Sequence, residues 1–301
     1  MDGANLRRRV AELLNENETT SNLLVKRSTY DFLYDAAKNW VIKTECLTAE
    51  QTITTVASQS DYVLNADYLG LFLKRNDRFY AKYYDGSAYT FINFKPYTDV
   101  YYENQTTAIS IPNYFTLLDY RSLYSQVTGA ASANGASVGG KCLLTTATDK
   151  FDNVSAGDSI NNTTDGSAGI VISKTDAKNI YVALFGGTAN DISSADAFII
   201  QPKGRMKLIF DPPPSTASHY CYVPYLQEPA PVYSDYDVYR INFDYTEAFA
   251  NYAAWKYKYK DKSADFGDKF YAAYLAEVEK YNTQTDRVLA RTNVSIIPRW
   301  K

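Results

Sequence analysis

The sequence predicts an α+β protein: a helical core of two N-terminal and two C-terminal helices, with β-hairpins between them and an inserted small all-β domain. Three observations lead there. Apolar residues recur at helical spacing near both ends, the period becomes strand-like from Thr52, and the composition turns to Gly, Ala, Ser, Asn, Thr and Asp around Gln126. The expected division is therefore 1–125 with 206–301 as the core, 126–205 as the inserted domain behind a Gly/Ala/Ser linker, and 291–301 as an extended tail.

In the first helix Leu6, Val10, Leu13 and Leu14 form one apolar stripe. A polar break at 15–22 precedes the second helix, which is expected to start at a capping Ser28. Its apolar face is Leu33, Ala36, Ala37, Trp40 and Val41. Short β-favouring runs follow at 62–64, 69–73 and 79–84, with Asp85-Gly86 as a turn signal after them. Residues 128–141 are Gly, Ala and Ser, a composition expected of an unpacked linker. Beyond it, 170–172 and 180–184 read as strand cores among turn residues. A strand at 207–210, the rigid turn Asp211-Pro212-Pro213-Pro214 and a tyrosine-rich strand at 219–226 return to the core. One helix then carries Ala248, Phe249, Tyr252, Trp255 and Tyr259, and the next carries Phe266, Phe270, Tyr274, Val278 and Tyr281. Short connections favour antiparallel packing of such pairs.

Composition excludes several function classes. A net charge of −3 argues against a global nucleic-acid binder, and Arg7-Arg8-Arg9 reads as a solvated helix face rather than a basic patch. No apolar run approaches the roughly 20 residues of a membrane span, and the charged start at 1–9 lacks a signal-peptide pattern. Cys46, Cys142 and Cys221 are far apart and without CxxC spacing, which speaks for reduced thiols rather than zinc ligands. His219 is the only histidine, so one chain cannot hold a multi-histidine metal site. Phe185-Gly186-Gly187-Thr188 lacks the Lys-Ser/Thr end of a phosphate loop and reads as a hairpin turn. Asp149, Asp152, Asp158, Asp165 and Asp176 do not follow an EF-hand spacing. The sequons at Asn104 and Asn162 are expected to be accidents of composition. No catalytic residue, metal or cofactor is expected. The 28 tyrosines suit packed subunit interfaces or sugar binding, and their number alone does not choose.

Several phrases, in their order along the chain, resemble the phage head-to-tail connector (adaptor) family. They are Thr54-Thr55-Val56-Ala57 with Gln59, Tyr62, Leu64 and Asp67-Tyr68; then Leu208, Phe210, Pro212 and Pro214 before the tyrosine-rich strand. The closing helices contribute Tyr245, Ala248, Tyr252, Ala253 and Tyr259, then Phe270, Tyr271, Tyr274 and Leu275. The region from Asp152-Asn153-Val154 through Thr163-Thr164-Asp165-Gly166 to Ala183-Leu184-Phe185-Gly186-Gly187 and Asn190 resembles a small β-module of phage virion proteins. The resemblance implies a helical adaptor core and a structural virion protein at the head–tail interface, assembled in the host cytoplasm. It implies a dodecameric ring that contacts the portal protein and tail or nozzle proteins, with tail fibres as a further candidate. DNA would pass through the channel without sequence-specific binding.

The apolar segment holding Val294, Ile296, Ile297 and Trp300 has two readings: it docks into the portal or a neighbouring subunit, or it folds back on its own helices. The alternative to an adaptor is a tail-fibre-anchoring or carbohydrate-binding tail protein, which predicts glycan binding by isolated subunits.

Overall fold

A computed structural model describes residues 1–18, 21, 24–72, 80–99, 107–119, 124–241, 245–260 and 264–292. The chain forms two compact units, one of residues 1–46 with 238–301 and the other of residues 47–237.

The first unit holds helices α1 (Gly3–Leu14), α2 (Lys26–Thr44), α3 (Thr246–Lys260) and α4 (Ala264–Thr292). Asp2 caps α1 by accepting the Asn5 amide at 2.8 Å, and Asn15 ends it in the left-handed region at φ 57°. Leu6, Val10 and Leu14 of the expected stripe are buried. Helix α2 begins two residues before the expected Ser28, with Val25 at the capping position and no side-chain cap. The whole predicted face, Leu33, Ala36, Ala37, Trp40 and Val41, is fully buried.

Helix α3 packs on each of the other three. Ala248, Ala250, Ala253 and Ala254 make this possible, since small side chains let three neighbours approach one helix. Trp40 lies among Tyr245, Phe249, Tyr274 and Tyr281, with ring centroids 5.4, 5.9, 6.1 and 5.7 Å away. Two tyrosine hydroxyls nearby are hydrogen-bonded: Tyr274 donates to Asn39 Oδ1 at 2.9 Å, and Tyr257 meets the Thr29 hydroxyl at 2.7 Å. Among the described residues no helix is long and apolar enough to cross a membrane.

The second unit is built of strands. They are β1 (Thr48–Thr54), β2 (Asp61–Val63), β3 (Tyr68–Leu71), β4 (Tyr80–Tyr84), β5 (Tyr89–Phe94), β6 (Tyr114–Asp119), β7 (Val127–Ala130), β8 (Cys142–Thr145), β9 (Ser159–Asn162), β10 (Ser167–Lys174), β11 (Asn179–Phe185), β12 (Ala197–Gln201), β13 (Met206–Asp211) and β14 (Tyr220–Gln227). One sheet runs β1-β14-β4-β5-β6-β13-β2, with β3 also paired to β14. The other runs β7-β12-β9-β10-β11-β8. Pairing is antiparallel except between β5 and β6.

The first sheet buries Ile53, Ala81, Tyr83, Ile92, Phe115, Leu208, Phe210, Cys221 and Val223. The second buries mainly aliphatic residues, among them Leu144, Ile160, Val171, Ile180, Val182 and Ile200, around the ring pair Phe151–Phe198 at 5.8 Å.

Two expectations are corrected. The α+β class with a helical adaptor core gives way to a mostly β molecule, whose larger compact unit is built around two multi-stranded sheets. Short strands and polar strands such as Ser159–Asn162 lack the alternation that announces a sheet, so the strand content was undercounted. The stretch expected as an unpacked linker also packs. Val127–Ala130 pairs with Ile200 to Ala197, Ala131 is buried, and the Gly135 amide donates to the Ile192 carbonyl at 2.7 Å. An added Cβ at Gly135 would lie 1.9 Å from the Leu143 carbonyl oxygen, so glycine there serves close backbone approach rather than flexibility.

Candidate functional site

Several carboxylates are engaged here in holding turns. Among the described residues no cluster of three or more His, Cys, Asp or Glu side chains could hold a metal ion. Burial pushes the Cys142 and Cys221 thiols up to about 12, which leaves them protonated and unreactive at neutral pH. His219 directs Nδ1 at the Tyr83 hydroxyl, 3.1 Å away, with the two rings edge to face.

The residues that follow Phe185–Thr188 already hold an anion of the protein itself. The Asp165 carboxylate accepts the amides of Ala189 and Asn190 at 2.8 and 3.1 Å, and these hydrogen bonds lower its pKa. A Cβ on Gly187 would come within 2.2 Å of that carboxylate. Asp176 accepts the amides of Lys178 and Asn179, while buried Asp158 accepts those of Ser155 and Lys203. Asn162 is 1% exposed and bonded to Asp196, so its sequon does not reach the surface; the sequon at Asn104 lies outside the described residues.

What the second unit does present is an aromatic sheet face. Strands β14, β4 and β5 are neighbours, and their alternation sends Ala81, Tyr83, Ile92, Cys221 and Val223 inward. Tyr80, Lys82, Tyr84, Tyr89, Phe91, Tyr220 and Tyr222 take the other face. The register sets Tyr220, Tyr84 and Tyr89 in one cross-strand row and Tyr222, Lys82 and Phe91 in the next. Ring centroids lie 4.8 Å apart for Tyr84–Tyr89, 6.4 Å for Tyr89–Tyr222 and 6.0 Å for Tyr80–Phe91.

The Lys82 ammonium sits 3.9 Å from the Tyr89 ring centre and 5.8 Å from that of Tyr222, within cation–π range. Tyr89 and Phe91 remain 55% and 66% exposed. A single exposed aromatic needs no explanation, whereas a contiguous group across three strands does.

The turn from β4 to β5 fixes this face. The Asp85 carboxylate accepts the amides of Ala88 and Ser87 at 2.7 and 2.8 Å, and Gly86 adopts φ +96°. Those bonds lower the Asp85 pKa to about 2.

The sequence-predicted docking residues Val294, Ile296, Ile297 and Trp300 lie outside the described residues. The aromatic face was not singled out from sequence. Its signal was present as the alternations Tyr80-x-Lys82-x-Tyr84, Tyr89-x-Phe91 and Tyr220-x-Tyr222. Nothing in those phrases says that a strand near residue 220 lies beside one near residue 80. Compared with known proteins, the chain matches no family model and no curated protein sequence.

Proposed function

We propose that this chain is a non-enzymatic structural subunit of a tailed-phage virion, a head-to-tail adaptor. It assembles in the host cytoplasm into a ring below the portal, extends the DNA channel and docks the tail. The observation that carries the reading is the exposed aromatic face of β14, β4 and β5. A ring closed by head-to-tail contacts requires a patch on each copy that a different patch of its neighbour covers. Aromatic residues are enriched at the centres of such contacts and charges are depleted there.

The ordered phrases that resemble the adaptor family add the dodecameric copy number, the portal as partner above, and tail or nozzle proteins below. Val294, Ile296, Ile297 and Trp300 serve in this reading as the segment that enters the portal or a neighbouring subunit. Each large apolar side chain buried there contributes about 1.5–3 kcal/mol before ordering costs.

Co-sedimentation with the cognate portal tests the proposal. Protein carried down with the portal is expected, and removal of the residues after Arg291 is expected to abolish this without changing the melting temperature. Full-length protein that stays in the supernatant as trimers contradicts the adaptor reading and favours a tail-fibre role.

A further inference from the structure

A second feature of the 47–237 unit has no part in that reading. The turn Val138-Gly139-Gly140-Lys141 is a two-residue hairpin closed by paired backbone bonds of 2.8 and 3.1 Å, with both glycines at positive φ. The Tyr236 ring lies directly on it, since a Cβ at Gly139 would come within 2.4 Å of that ring. The Asp235 amide donates to the Gly139 carbonyl at 2.8 Å and holds the segment in place. Leu143 and Tyr181 are cross-strand partners on β8 and β11, on the face opposite the buried Cys142, Leu144, Ile180 and Val182.

Of these groups, Val138, Lys141, Leu143, Tyr181 and Tyr236, with Ser234, line a cavity of about 520 Å³, within the roughly 300–1,000 Å³ of small-molecule sites. Tyr236 is 74% exposed and Tyr181 36% exposed. The Lys141 ammonium meets the Asp237 carboxylate at 2.8 and 3.1 Å and lies 5.4 Å from the Tyr181 ring centre. Ser234 accepts the Asp237 amide and fixes that side of the ion pair.

We propose that this cavity binds a neutral pyranose sugar, with Tyr236 and Tyr181 against its ring and the Lys141–Asp237 pair on its hydroxyls. The electron-rich tyrosine faces attract the weakly positive C–H groups of a sugar ring. The ammonium donates to one hydroxyl and the carboxylate accepts from its neighbour, a pattern that vicinal diols satisfy. Because the two charges cancel, the site has no net preference for an anionic ligand. Gly135 and Ala136 complete the lining. The inference does not depend on ring formation, and sugar binding and portal binding are read separately.

The test is an amide-shift NMR titration of the full chain with the methyl glycosides of glucose, galactose, N-acetylglucosamine and rhamnose, and with sialic acid as the anionic comparison. The expected result is weak, saturable binding of at least one neutral glycoside, with shifts at residues 138–143, 181 and 234–237. Tyr236→Ala and, separately, Lys141→Met should each weaken it at least tenfold, whereas Tyr89→Ser on the other sheet should leave it unchanged. Tyr236 is exposed, so its loss should not disturb the fold, and Lys141→Met supplies an independent reading. Absence of shifts with every neutral glycoside, binding that survives both variants, or preference for sialic acid would each overturn the proposal.

Discussion

The two sheets of the 47–237 unit solve the same packing problem with different chemistry. The eight-stranded sheet is rich in tyrosine on both faces: Tyr83 is fully buried, and Tyr84, Tyr89, Tyr220 and Tyr222 line the opposite side. In the six-stranded sheet, Tyr181 is the one tyrosine among the strands, and the core is mainly aliphatic around Phe151 and Phe198. Its turns are held by carboxylates, with Asp165, Asp176 and Asp158 each accepting backbone amides. The second sheet spends its apolar residues on its own interior, while the first places many of its rings where they do not serve its core. Rings outside a core are available for contact with another molecule, which is why the first sheet carries the adaptor reading.

That contrast can be broken or sharpened by substitution. The largest effect is expected at Phe198, which is 1% exposed and packed against Phe151. Phe198→Ala should cost about 3–5 kcal/mol in urea denaturation, through lost burial and the cavity left behind. Gly129→Ala strains the same place from the other side, because its Cβ would sit 2.9 Å from the Phe198 ring. About 1–3 kcal/mol is expected for that overpacking. A negligible cost for both would mean that this interior is loosely packed and that the contrast between the sheets is wrong.

Acid should act on the turns next. Hydrogen bonds from backbone amides hold Asp85 down at about 2, against an ordinary value of 3.8. Asp165 and Asp176 are lowered for the same kind of reason, chiefly by the Ala189 amide and the Asn179 side chain respectively. A carboxylate with a lowered folded-state pKa contributes stability that is complete above its ordinary value and is lost as pH falls through the folded one. The melting temperature should therefore drop between pH 4 and about 2, and replacing the three aspartates with asparagine should flatten that drop. Asp158 has the opposite sign. Burial raises its pKa, so its contribution improves as pH falls through the raised value toward 3.8. Asp158→Asn should remove that gain and leave the steeper, three-aspartate dependence exposed.

The smallest effect on stability, and the most informative one, is expected at the aromatic face. Tyr89→Ser and Phe91→Ser remove mostly exposed rings and one cation–π contact, so each should change stability by under about 1 kcal/mol. Large destabilisation would show that the rings hold the sheet itself together, and the face would lose its claim as a contact surface.

How much of this was legible in the sequence depends on how locally it is encoded. Helices α1 and α2 are amphipathic on one side, so Leu6, Val10, Leu33 and Trp40 announced them. Helix α3 is covered by three neighbours, and its alanines were less visible than its aromatics. The stripe read from Trp255 and Tyr259 pointed partly outward, and Tyr259 is 58% exposed. In β9 the inward residues are Ile160 and Asn162, and a buried asparagine satisfied by Asp196 interrupts the hydrophobic pattern. Gly135, Gly139 and Gly140 looked like a flexible linker because composition cannot distinguish glycine that allows close approach from glycine that allows motion. The aromatic face and the Tyr181–Tyr236 cavity both depend on strand neighbours and chain returns distant in sequence, which no local phrase encodes.

The adaptor claim is tested most directly by mass photometry of the protein with its cognate portal, using wild type and the Tyr89→Ser/Phe91→Ser double variant. The account predicts a wild-type complex whose added mass corresponds to one copy per portal subunit. It also predicts that the folded double variant fails to complete that ring. Wild-type protein that adds no mass to the portal, or a double variant that completes the ring as well as wild type, would contradict it.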